Sequence, residues 1–61
     1  MLKAASCLHE ARLFIEAARV DAARAATHMT GAGATRANQL AEQLAAAADL
    51  CERLAYGVGA A

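Results

Sequence analysis

The sequence predicts an all-α fold, an antiparallel helical hairpin of the helix-turn-helix coiled-coil type, and three observations carry that prediction. Alanine supplies 20 of 61 residues and proline none, so the best helix former dominates and the strongest helix breaker is missing. Apolar residues recur at spacings of three and four in two long segments, the period of an amphipathic helix. Between those segments stands "TGAGA", Thr30 to Ala34, whose two glycines suit a chain reversal.

Taken in order, the first helix is expected over about residues 2–29. At about 100° per residue, Ala4, Cys7, Leu8, Ala11, Phe14, Ile15, Ala18, Ala22, Ala25 and Met29 share one face. Arg24 and His28 fall near its carboxyl end, where cations complement the helix dipole. The turn is expected over 30–34, with Gly31 closing the first helix in the left-handed conformation and Gly33 completing the reversal. Thr35 is expected as the N-cap of a second helix over about 35–56. Its face is Leu40, Leu44, Ala47, Cys51, Leu54 and Val58, with Leu50 beside them. Asp49 and Arg53 are placed for an i,i+4 ion pair. Gly57 is expected to stop the helix, leaving a frayed tail over 57–61. The whole chain, 1–61, reads as a single helical-hairpin domain.

Ala4, Ala11, Ala18 and Ala25 keep a strict spacing of seven, and Leu8, Ile15, Ala22 and Met29 keep the adjacent one. This reads as a coiled-coil seam with one row all alanine, which lets helix axes approach closely. The larger apolar side chains are few: seven Leu, two Val, two Met and one each of Ile, Phe and Tyr. So small a chain has little core volume, and an isolated hairpin leaves much of each seam wet. Dimerisation into a four-helix bundle is the expected completion. The expected self-association residues are Leu8, Ala11, Phe14, Ile15, Ala18, Ala22, Ala25, Met29, Leu40, Leu44, Ala47, Leu50, Cys51 and Leu54. Leu2, Leu13 and Val20 fall almost opposite the main seam; incidental exposure is the greater reading, and a second contact stripe for a larger protein partner or a further copy is the lesser.

Several chemistries are excluded by spacing. Six basic residues balance six acidic ones, without the basic stripe that phosphate binding requires or the cationic face of a membrane-surface helix. The longest uncharged stretch, Ala25 to Thr35, is interrupted by Thr, His and two Gly and is far too short to span a bilayer. "AASC", Ala4 to Cys7, has no apolar run before it and so does not work as a lipoprotein cleavage site. A cytoplasmic location with reduced thiols is expected.

"TGAGATR" lacks the third glycine of a dinucleotide loop, with Arg36 in that place, and lacks the Gly-Lys-Ser/Thr of a phosphate loop. An anion at the second helix's amino end beside Arg36 is the lesser reading, a plain turn the greater. "HEARL", His9 to Leu13, starts like a zinc-protease helix, but Leu13 stands where the second histidine is needed. Cys7 and His9 project about 200° apart, and His28 lies about 28 Å along the helix from His9. No metal, no cofactor and no catalytic residue is therefore expected. Glu10 and Glu16 lie too far round the helix to share a substrate atom. Both cysteines are expected as small buried apolar fillers. With the hairpin centred near Ala32, Cys51 comes level with Leu13, about 9 Å from the level of Cys7, too far for an intrachain disulfide. A bond between chains is left open.

The layout resembles the Rop type of plasmid copy-number regulator, a hairpin of this length that dimerises into a bundle. "RLFIE", Arg12 to Glu16, is similar to the Arg-Phe-Ile run of that family's first helix. The resemblance implies an RNA-binding face to which Lys3 and Phe14 would belong, although the further lysines and amides of that face are acidic residues or alanines here.

The function expected from the residues is a small, non-enzymatic, self-associating interaction module, a homo-oligomer with the dimer favoured. The alternatives are a dimeric nucleic-acid-binding regulator using Lys3, Arg12, Arg19 and Arg24, and an inactive subunit or fragment of a larger helical assembly.

Overall fold

The computed structural model describes the backbone of residues 2–60 and the side chains of residues 3–58. Two helices, α1 (Leu2–Thr27) and α2 (Gly31–Ala60), pack against each other as an antiparallel hairpin. The Cα envelope measures 46 × 13 × 9 Å. Subtracting a Cα radius of about 2.3 Å on each side of the 13 Å width leaves roughly 8 Å between the axes, the close end of the usual range.

The reversal is tighter than the glycine pair suggests. His28 N–H donates to the Ala25 carbonyl at 3.0 Å and Met29 N–H to the Ala26 carbonyl at 3.2 Å, so α1 closes on short-range bonds before either glycine is reached. The Thr27 hydroxyl donates back to the Arg24 carbonyl at 2.6 Å. Gly31 then turns the chain with φ of 61°, in the left-handed region. Gly33 needs no such conformation and lies inside the first turns of α2, with the Met29 side chain folded over it.

The helix limits differ from the expected ones for these reasons. Met29 lies in the connection, and α2 starts at Gly31 because Ala32 and Ala34 sustain a helix as soon as the chain has reversed. Thr35 is consequently no N-cap; its hydroxyl donates to the Gly31 carbonyl at 3.3 Å from within the helix. At the other end α2 passes through Gly57 and reaches Ala60. A single glycine costs only about 1 kcal/mol relative to alanine, and Gly57 keeps a right-handed conformation. Residue 61 lies outside the described residues.

The seam reads directly from burial. On α1, Ala5, Leu8, Arg12, Ile15, Arg19, Ala22 and Ala26 are half-buried or buried; on α2, Ala34, Ala37, Ala41, Leu44, Ala48, Cys51 and Ala55 are. Both sets alternate steps of three and four, the heptad signature of two helices packed along one line. Counting outward from the turn sets Ala26 opposite Ala34, Arg19 opposite Ala41, Ile15 opposite Leu44, Arg12 opposite Ala48 and Leu8 opposite Cys51. The strict alanine row that allows close approach is thus Ala34, Ala41, Ala48 and Ala55 on α2. The α1 row expected in that role is mostly outside the seam: Ala4, Ala18 and Ala25 are exposed and Ala11 only half-buried.

The apolar core of the single hairpin is small. Among the described residues, only Ala26 (7% exposed), Ala48 (2%) and Ala55 (3%) are buried. Leu8, Ile15 and Leu44, the largest apolar side chains of the seam, are each half-buried.

Candidate self-association surface

The expected self-association residues divide into two groups in space. Leu8, Ala11, Ile15, Ala22, Leu44, Ala47 and Cys51 are half-buried at or beside the seam inside the hairpin. Phe14, Ala18, Ala25, Met29, Leu40, Leu50 and Leu54 are exposed. The first group is largely satisfied by the chain's own second helix. The second group is not.

The direction of the exposed group follows from helix geometry. Phe14, Ala18, Ala25 and Cys7 project about 100° from the α1 seam, on the side toward lower angle. Leu40, Ala47, Leu54 and Val58 project about 65–105° from the α2 seam in the same sense, with Leu50 somewhat farther round. In two right-handed antiparallel helices, equal displacements of the same sense from the shared seam point to the same side of the pair. These residues therefore form one continuous face running across both helices. Its large members are open to solvent: Phe14 is 75% exposed, Leu40 50%, Leu50 51%, Leu54 50% and Val58 43%. Arg36 and Gln43 are the polar residues along its α2 row, and Asp21, one heptad on from Phe14, is the charged residue along its α1 side.

The opposite face carries His9, Glu16, Asn38, Glu42, Asp49, Glu52 and Tyr56. Here an open groove of about 400 Å³ runs between the helices, lined by Arg19, Asn38, Ala41, Glu42 and Ala45. Arg19 bonds Glu16 through both Nε and Nη2, at 3.3 and 3.2 Å, with both side chains partly covered. Arg53 meets Asp49 at 3.0 Å, the i,i+4 pair expected from sequence, and Arg24 meets Asp21 at 3.7 Å. Both of these are well exposed and worth at most about 1 kcal/mol.

The second stripe is described for two of its three members. Leu13 (60% exposed) and Val20 (42%) lie on the far side of α1, away from the apolar face; the Leu2 side chain lies outside the described residues.

The thiols need a correction of register. Because the chain reverses at His28–Thr30, Cys51 stands opposite Leu8, not level with Leu13, and so at the same end of the hairpin as Cys7. Both thiols are free. Cys51 is half-buried in the seam, but Cys7 is exposed, contrary to the expectation that it fills a core.

Arg12 and Arg19 are what sequence reasoning missed in the seam. They occupy heptad positions, half-buried, opposite Ala48 and Ala41. Arginine suits such a place because its long stem is apolar and only its head is charged; the Arg19 guanidinium is held by Glu16. Among the described residues no three His, Cys, Asp or Glu side chains are grouped to hold a metal ion, and no helix is long and apolar enough to cross a membrane. No protein family matches this chain, and neither a curated protein nor a solved structure is similar to it at a significant level.

Proposed function

We propose that this chain is a small, non-enzymatic interaction module whose hairpin pairs with a second copy of itself, completing a four-helix bundle. The observation that carries this reading is the exposed apolar face of Phe14, Leu40, Leu50, Leu54 and Val58 beside a core of three buried alanines. A hairpin so built has placed its larger side chains where only another molecule covers them.

Area supports a partner of this size. A compact monomer of 6.2 kDa exposes roughly 3,700 Å² by the usual scaling of surface with mass. This chain exposes 4531 Å², an excess of roughly 800 Å², which is about what each partner buries in a standard stable interface. The charges of the face, Arg36 and Asp21, lie toward the turn end, and the stretch of Phe14, Leu50 and Leu54 is uncharged, as the centre of a permanent interface is. Of the cations the nucleic-acid reading would use, Arg19 is tied to Glu16, Arg24 meets Asp21 and Arg12 lies half-buried in the seam.

Light scattering over a range of concentrations, with and without reductant, tests the proposal. The expected mass is twice that of the chain under both conditions. Leu54→Glu, which sets a charge on the apolar face, should reduce it to a single chain, while Leu13→Glu on the far side of α1 should leave it unchanged. A native mass of one chain at high concentration would refute the reading.

A further inference from the structure

Two identical faces of this kind close about a two-fold axis in only two ways. If the axis runs along the bundle, both turns lie at the same end and α1 of one copy packs on α2 of the other. If the axis runs across the bundle, the turns lie at opposite ends and like helices meet. We infer that the dimer takes the first arrangement, with its turns at the same end, an inference that rests on the self-association reading above.

The argument is one of side-chain size along the face. The α1 row reads Ala4, Cys7, Ala11, Phe14, Ala18, Asp21, Ala25: small apart from Phe14 and the charged Asp21. The α2 row, read in the opposite direction to match its antiparallel course, is Val58, Leu54, Leu50, Ala47, Gln43, Leu40, Arg36: large or long apart from Ala47. The seam register, with Ile15 opposite Leu44 and Leu8 opposite Cys51, gives each of these residues its height along the bundle. With the turns at one end, each α1 residue meets the partner's α2 residues of its own height. Leu54 then falls between the partner's Ala4 and the partner's Cys7, and Leu50 between the partner's Cys7 and the partner's Ala11. Leu40 falls beside the partner's Ala18. Phe14, the one bulky apolar residue of its row, falls between the partner's Ala47 and the partner's Gln43. Each of the three leucines thus meets small residues, which is how close-packed interiors avoid both voids and overlap.

The crossed arrangement loses this match. Alanine rows of the two α1 helices would face each other on one side of the interface and leucine rows of the two α2 helices on the other. Alanine-lined helices approach to about 8 Å and leucine-lined ones to about 10 Å. The interface would be wedge-shaped, and Phe14 would stand among alanines that need close contact.

Pulsed electron resonance on a chain carrying a nitroxide at His28→Cys, with Cys7→Ala and Cys51→Ala, separates the two. With the turns together, the labels lie within about two helix diameters of one another, roughly 20 Å before the tethers are added. With the turns apart, they are separated by nearly the 46 Å length of the hairpin. A short distance in a sample of dimeric mass is the expected result. A long distance at dimeric mass overturns the arrangement and leaves self-association standing; a monomeric mass for the unsubstituted chain overturns both. Should the labelled variant fail to fold, the native chain serves: in a mixture of isotopically labelled and unlabelled copies, contacts between the Phe14 ring and the partner's Ala47 methyl are expected. Contacts between the two Phe14 rings in their place overturn the inference.

Discussion

Gly31 and Gly33 stand two residues apart and answer to different constraints. A side chain at Gly31 meets no atom within 4 Å, yet φ of 61° puts it in the region where an L-residue is strained. At Gly33 the backbone is ordinary, and an added Cβ would come 2.8 Å from the Met29 Cε, the free end of a flexible side chain. Gly31→Ala should therefore cost about 1–2 kcal/mol. Gly33→Ala should stabilise α2 by up to about 1 kcal/mol through helix propensity, once the methionine tip swings aside. Urea unfolding of the two variants measures both, and equal losses would contradict the distinction. The sequence identified the pair as a turn but assigned both to it. What separates them is where α1 ends, and that is set by the bonds from His28 and Met29 to Ala25 and Ala26, which no spacing of glycines encodes. The Asp49–Arg53 pair, by contrast, was legible from spacing alone, because helix geometry dictates it.

At the scale of the element, the seam rests on the row Ala34, Ala41, Ala48 and Ala55. Ala48 is nearly inaccessible opposite Arg12, so Ala48→Leu should force the helices apart and cost about 1–3 kcal/mol. Ala46→Leu, on the exposed side of the same helix, should change stability by no more than about 0.5 kcal/mol. Urea midpoints compared at one protein concentration test the contrast, and equal effects at the two positions would place the seam elsewhere. Two long helices joined by a short turn were readable from the alanine content and periodicity. The rotation of α1 was not. Its apolar arc, from Phe14 round to Leu8, is wider than one seam, and centring the expected face on that arc put Ala4, Ala18 and Ala25 inside. In the structure the seam lies toward one edge of the arc, through Arg12 and Arg19, whose charges marked them as solvent residues. The long aliphatic stem of arginine makes that placement workable when the residue opposite is alanine. On α2 every face contains alanine, so the row that mattered carried no distinguishing size.

For the whole molecule, the half-exposed Leu40, Leu50 and Leu54 and the open Phe14 are the consequence of that rotation. Part of the arc closes the hairpin and the remainder faces outward. The expected contact residues were legible as a set because they are simply the large and small apolar residues of two amphipathic helices. Their division between an inner seam and an outer face was not legible, since it depends on the angle at which the two helices meet. A chain that completes its core with a second copy has a stability tied to its own concentration. The most direct test is thermal unfolding followed by circular dichroism over a hundredfold range of chain concentration. A midpoint that climbs steadily with concentration is the predicted result. A midpoint that stays fixed, with a sharp cooperative transition and the mass of one chain, would mean that the three-alanine core suffices alone, and would contradict the account.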